Sequence, residues 1–248
     1  MNSAAVNTAA VKANLLVTET ISRRLKMLGL EAARRYPKPD GALAYGTAGF
    51  RARADVLDST FYRMGMLAAL RSRVRGGLWV GLMVTASHNT EADNGIKLVD
   101  CDGGMLAQSW ERHATAVANA PEEGLAAALA SVADEEGAAS GAGAAPGAGA
   151  PCRVLIGRDT RPHSQRLASI AMEGASLLSA TTDDAGLVTT PQLHHYVRFR
   201  NYLPAQGGAL SAEESGAPDM RGLEHLRGLE HEGYFEMLDV RASDTSRP

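Results

Sequence analysis

Leu15, Leu16, Ile21, Leu25, Leu28 and Leu30 recur at near-helical spacing before Pro37 and Pro39 close the pattern. This spacing predicts an amphipathic helix over residues 9–36. A turn-rich segment, DGALAYGTAGFR, runs from Asp40 to Arg51. Phe61, Met64, Leu67 and Leu70 then mark the apolar face of a helix over residues 59–76, with Ser59 as its expected N-cap. Residues 78–86, LWVGLMVTA, form an apolar run with the length of a buried strand. IKLVD, residues 96–100, predicts a second strand, and Asp102, Gly103 and Gly104 a turn after it.

Beyond that turn the pattern predicts a helix over 108–119, a strand over 152–159 and a helix over 164–179 behind Pro162. A short strand, Ala185 to Val188, is expected to end in a loop carrying TTPQLHH. Residues 122–151 degrade to Ala, Gly and Ser and are expected to form a disordered surface insertion. Strands alternating with helices give an α/β class. RGLEHL at 221–226 is repeated almost unchanged as RGLEHE at 227–232, and two copies read as a local insertion, not a solenoid.

Composition narrows the class further. A chain of 248 residues is long enough for one sizeable core, and residues 1–248 are read as a single domain. A net charge of −3 offers no electrostatic footprint for nucleic acid or an anionic membrane. No apolar run approaches the ~20 residues of a membrane span. Arg23 and Arg24 behind an acid-poor N-terminus allow a transit-peptide reading, but the apolar spacing favours the helix. Cys101 and Cys152 lack metal-ligand spacing and are too few for a disulfide framework, which fits a reducing cytoplasmic location.

Candidate chemistry begins at VTASHN, Val84 to Asn89, where an apolar run gives way to a hydroxyl beside a histidine. Ser87 can be read as a cap or loop hydrogen bonder, or as a nucleophile. NGIK, residues 94–97, brings Lys97 back toward it on a strand edge. A hydroxyl that accepts a phosphoryl group needs a base, cationic neighbours and usually a divalent metal.

VTASHN with NGIK, within the longer string over residues 81–111, resembles the phosphoserine loop of the α-D-phosphohexomutases. YGTAGFR (45–51), IGRDTRPHS (156–164) and DAGLVTTPQLHH (184–195) resemble further segments of that family. The serine loop precedes the GRDTR segment, an order resembling the N-acetylglucosamine branch, and the likeness spans residues 37–120 and 152–240. The resemblance implies a three-layer α/β/α domain with a mixed sheet, like the family's first domain. It implies Ser87 as the phosphoserine, His88 and Lys97 as acid/base helpers and Arg51 as a positioner of phosphate. Thr47 and Asn89 are implied to bind substrate, and a Mg2+ ion would be held through phosphorylated Ser87.

Asp159 and Arg161 are expected to brace loops, and His194 and His195 to line the mouth of the site from a loop. Asp100 and Asp102 fit a solvated turn better than a metal site. Thr90 stands where the family has proline, which leaves the serine loop freer.

The reaction implied is interconversion of the 6- and 1-phosphates of N-acetylglucosamine, toward a nucleotide sugar, with a phosphosugar as partner and neither nucleic acid nor membrane. The family's metal, sugar and phosphate loops belong to later domains, and their strings do not occur in this sequence. Little turnover is therefore expected of this chain alone, with pairing to those domains or to a full-length mutase as the partner interaction. The polar stretch after YFEMLDV resembles the end of the first domain. A mutase for another hexose phosphate and a non-catalytic remnant or interaction domain stay open as alternatives.

Overall fold

The computed structural model describes residues 35–139 and 151–206. The expected N-terminal helix and the RGLEH duplication lie outside these residues, apart from the last two positions of the helix.

Five strands form one mixed sheet in the order β1–β3–β2–β4–β5. They are β1 (Phe50–Arg53), β2 (Trp79–Val84), β3 (Asp93–Val99), β4 (Arg153–Arg158) and β5 (Thr181–Leu187). β3 runs antiparallel to both β1 and β2, whereas β2, β4 and β5 are mutually parallel. The helices are α1 (Asp58–Val74), α2 (Gln108–Asn119), α3 (Leu125–Ala139), α4 (Ser164–Leu177) and α5 (Thr190–Gln206).

Side chains alternate across the sheet, as a period of two requires. Val80, Leu82, Val84, Ile96, Leu98, Val154 and Ile156 enter the larger core with α1, α2, α3 and α4. Met83, Val99 and Leu155 face the other way and pack against Leu193 and Val197 of α5. Helices on both faces make the expected three-layer α/β/α architecture.

α1 forms where a helix was expected over 59–76, and it is buried on all sides. Every residue from Ser59 to Ser72 is buried, because the sheet, α2, α3 and α4 surround it. Gly65 of α1 meets α4 so closely that a Cβ there would overlap the Ala171 carbonyl, and one at Gly174 the Tyr62 carbonyl. Ser59 does not cap the helix; it lies inside the first turn with its hydroxyl buried.

Four further expectations are corrected. Phe50 and Arg51, read as the end of a turn-rich segment, open a strand, Phe50–Arg53, held by pairing to β3 from Phe50↔Ile96 to Arg53↔Asp93. β3 starts at Asp93, three residues before its expected start. The first half of the supposed disordered insertion is a short 3-10 turn at Glu122–Gly124 followed by α3, because Leu125, Leu129 and Val132 reach the main core. TTPQLHH is not a loop but the start of α5. Thr189 Oγ1 and Gln192 Oε1 exchange hydrogen bonds with each other's backbone N–H (3.4 and 2.8 Å), a capping box around Pro191.

Candidate active site

The carboxyl ends of the parallel strands β2 and β4 lie side by side, with Val84 paired to Arg158 and the Asp159 N–H donating to the Val84 carbonyl at 3.0 Å. Ligands of α/β sheets gather at such ends. The β2–β3 connection begins there and carries the exposed residues Ser87, His88, Asn89 and Thr90. The Asn89 N–H donates to the Ala86 carbonyl at 3.1 Å, which closes a tight turn over Ser87 and His88. Ser87 sits in it at φ +51°, a left-handed conformation costing a serine roughly 1–2 kcal/mol.

Three side chains hold that turn. The Thr85 hydroxyl accepts the Ser87 N–H at 3.1 Å and donates to Asp159 Oδ2 at 2.8 Å. Arg161 donates to the carbonyl oxygens of Ser87 (3.1 Å), Asn89 (2.8 Å), Asp93 (3.1 Å) and Thr90, and to Asp159 Oδ2 at 3.2 Å. On the other flank His163 bridges the Glu91 carbonyl (2.9 Å) and the buried Asn94 amide (2.8 Å). Asn94 donates to His163 Nδ1, which leaves Nε2 as the protonated nitrogen facing Glu91. Bracing by Asp159 and Arg161 is therefore a feature of the fold. Asn94 and His163 lie inside the NGIK and IGRDTRPHS segments, but sequence reasoning gave neither of them a role.

Arg51 and Lys97 reach the same place from β1 and β3. Arg51 pairs with Gly95, whose carbonyl in turn accepts the Thr85 N–H at 3.0 Å, so Gly95 lies between Arg51 and the serine loop. Gly95, Lys97 and Val99 alternate onto the face that α5 covers farther along β2 and β4. Arg51 thus shares this face with Lys97. The guanidinium is exposed and makes a long 3.4 Å hydrogen bond to Asn89 Oδ1. The side chains of His88 and Lys97 make no hydrogen bond or ion pair among the described residues. Two acids at the loop are engaged: Asp93 accepts from Asn89 Nδ2 at 3.1 Å, and Asp159 serves Thr85, Arg161 and Ser164. Arg51 and Lys97, in no ion pair among the described residues, suit an anionic ligand.

The GTAGFR turn is fixed from beneath. The Tyr45 hydroxyl accepts the Leu98 N–H at 2.9 Å, and the Tyr45 ring packs edge-on to Phe50. Gly49, at φ +76°, lies so close to Ile96 that a Cβ would overlap its carbonyl. Thr47 stands exposed at the tip of this turn.

Other expected residues lie apart. His194 Nδ1 bonds the Gly103 carbonyl at 2.8 Å, and His195 stacks on Phe199 along α5. Both are helix residues. Asp100 is not in a solvated turn: it is buried and doubly bonded to Arg71 at 3.0 and 2.7 Å. Asp102 braces its own turn through the Gly104 N–H at 2.7 Å.

The model of the phosphoglucomutase/phosphomannomutase α/β/α domain I matches residues 55–124 and 130–210. The chain belongs to that family. Among curated relatives, phosphoacetylglucosamine mutase of Sus scrofa is 51% identical over 167 residues, covering 67% of this chain and 29% of the relative. The Homo sapiens enzyme is 47% identical over the same coverage. A solved N-acetylphosphoglucosamine mutase of Aspergillus fumigatus, in complex with GlcNAc-6P and magnesium, is 41% identical. It superposes with a TM-score of 0.64 over 73% of this chain and 32% of its own. The chain thus spans about a third or less of the length of the phosphohexomutases it matches. Among its described residues no helix is long and apolar enough to cross a membrane.

Proposed function

We propose that this chain is the phosphoserine-bearing domain of a phosphoacetylglucosamine mutase, with Ser87 as the phosphate carrier. The observation that carries this reading is the Ser87 turn itself. A serine is held in a left-handed backbone at the carboxyl end of the parallel strands, beside the strands that carry Arg51 and Lys97. Identities of 47–51% to phosphoacetylglucosamine mutases favour N-acetylglucosamine phosphate over other hexose phosphates as substrate.

In the proposed cycle a sugar hydroxyl attacks the phosphorus on phosphorylated Ser87. The bond from phosphorus to Ser87 Oγ breaks and a bond to the sugar oxygen forms. The sugar proton passes to one of His88 and Lys97, and Ser87 Oγ regains a proton from the other. The sugar bisphosphate reorients and returns its other phosphate by the reverse steps. Arg51, Thr47 and Asn89 hold phosphate and sugar at the mouth, where a planar guanidinium matches phosphate oxygens.

The residues described here do not complete a magnesium site. No group of three His, Cys, Asp or Glu residues among them converges, and Asp93 and Asp159 are already engaged. A phosphate on Ser87 supplies one ligand, so the remaining ligands of a Mg2+ ion belong to partner domains or to a full-length mutase. Neither nucleic acid nor membrane enters this scheme. Two free, buried cysteines support a cytoplasmic location.

Intact-mass measurement after incubation with glucose 1,6-bisphosphate tests this reading. The chain is expected to gain one phosphoryl group, and Ser87→Ala none. Equal uptake by the two, or none by the parent chain, would overturn it.

A further inference from the structure

Arginine offers five N–H donors in a rigid fork. All five of Arg161 are occupied: Nε by Asp159, Nη1 by the carbonyls of Thr90 and Asp93, and Nη2 by those of Ser87 and Asn89. No donor remains for a phosphate. Arg51, by contrast, is exposed and bonded only at 3.4 Å to Asn89. The two arginines nearest the serine therefore have different tasks.

The carboxylate behind Arg161 completes a closed circuit. The Ser87 carbonyl bonds Arg161, which bonds Asp159. The Ser87 N–H bonds the Thr85 hydroxyl, which also bonds Asp159. Asp159 is held in turn by Ser164 Oγ and by the Arg161 backbone N–H at 3.1 Å. Both polar backbone groups of Ser87 thus lead to one carboxylate that is anchored at the end of β4. Such a circuit sets both peptide planes of residue 87, and with them the direction of its Cβ and hydroxyl. It also gathers four carbonyl oxygens that would repel one another without the cation between them. Thr90 imposes no ring constraint on φ, so the loop depends on this clamp for its shape.

We infer that Arg161, with Asp159 and Thr85 behind it, is a positioning residue that aims the Ser87 hydroxyl and does not bind the transferred phosphate. The inference rests on Ser87 being the phosphate carrier. Lysine keeps the charge but presents its donors from a single nitrogen, which cannot span four carbonyls.

The test follows phosphate uptake by the 248-residue chain at increasing glucose 1,6-bisphosphate, together with amide hydrogen exchange over residues 85–93. Arg161→Lys is expected to lower the maximal uptake rate about a hundredfold, the scale of a small misplacement at a reacting centre. The half-saturating concentration stays unchanged, exchange at Ser87 and Asn89 accelerates, and exchange within α1 does not. A raised half-saturating concentration with the maximal rate retained would show Arg161 binding phosphate and overturn the inference. Thr85→Val is the second variant should Arg161→Lys fail to fold: it loses the same rate, and Thr85→Ser restores it. If the parent chain takes up no phosphate, the carrier role of Ser87 falls by itself. The exchange arm still decides the clamp, and unaltered loop exchange in Arg161→Lys and Thr85→Val would refute it.

Discussion

Gly95 lies between Arg51 and the strand end that leads to Ser87, in a space with no room for a methyl group. A Cβ there would overlap the Phe50 carbonyl and stand 2.9 Å from the Thr85 carbonyl and 3.0 Å from Arg51 Cγ. Gly95→Ala is expected to cost about 1–3 kcal/mol in urea unfolding and to displace the Arg51 stem. Buried charge makes a second prediction at this scale. Burial pushes the Asp100 carboxyl up, but its hydrogen bonds and charge pairing with Arg71, aided by the Cys101 and Ala107 N–H groups, hold it below its ordinary value. A carboxylate depressed in the folded state stabilises above its unfolded pKa of about 3.9 and loses that contribution as pH falls through the lower folded value. Asp100→Asn removes this acid-dependent loss, so its stability falls less steeply with pH below about 4 than that of the parent chain. At neutral pH the same variant costs about 3–5 kcal/mol, because Arg71 stays buried without its partner.

Elements with a strong period were legible in the sequence, and those defined by partners were not. β2, β4, α2 and α4 lie within two residues of their expected bounds because each carries a long apolar run or stripe. β1 has four residues, Phe50–Arg53, and only pairing with β3 makes it a strand. Asp93-Asn94-Gly95 lies ahead of the strand expected over 96–100. It is a strand because Asn94 is buried against His163 and Ser164 and Gly95 is enclosed between β1 and Thr85. The start of α5 did carry a local signal, Thr189-x-x-Gln192 with Pro191 inside, which the loop reading passed over. α3 looks like low complexity because alanine fills the positions between its three core residues. Leu129→Ala is expected to destabilise the chain by about 2–5 kcal/mol, measured by urea unfolding, while the exposed Ala127→Ser changes little.

At the scale of the molecule, the motifs made the serine loop legible but not the means by which it is held. Ser87, Arg51 and Lys97 gather at one end of one sheet because β3 carries Lys97, pairs with β1 beneath Arg51 and takes its chain from the serine loop. The circuit through Thr85, Asp159 and Arg161 joins residues more than seventy positions apart, which spacing alone cannot reveal. The chain spans under a third of its curated relatives' length, and its described residues supply one wall of a site with cations and no metal cage. A coupled assay for N-acetylglucosamine 1-phosphate is accordingly expected to give negligible turnover with this chain alone. Loading the serine and completing the cycle are separable steps. Peptide fragmentation after incubation with glucose 1,6-bisphosphate locates the loaded group: a single phosphate on Ser87 is expected, and a phosphate on another residue, or none, would rule out Ser87 as the carrier.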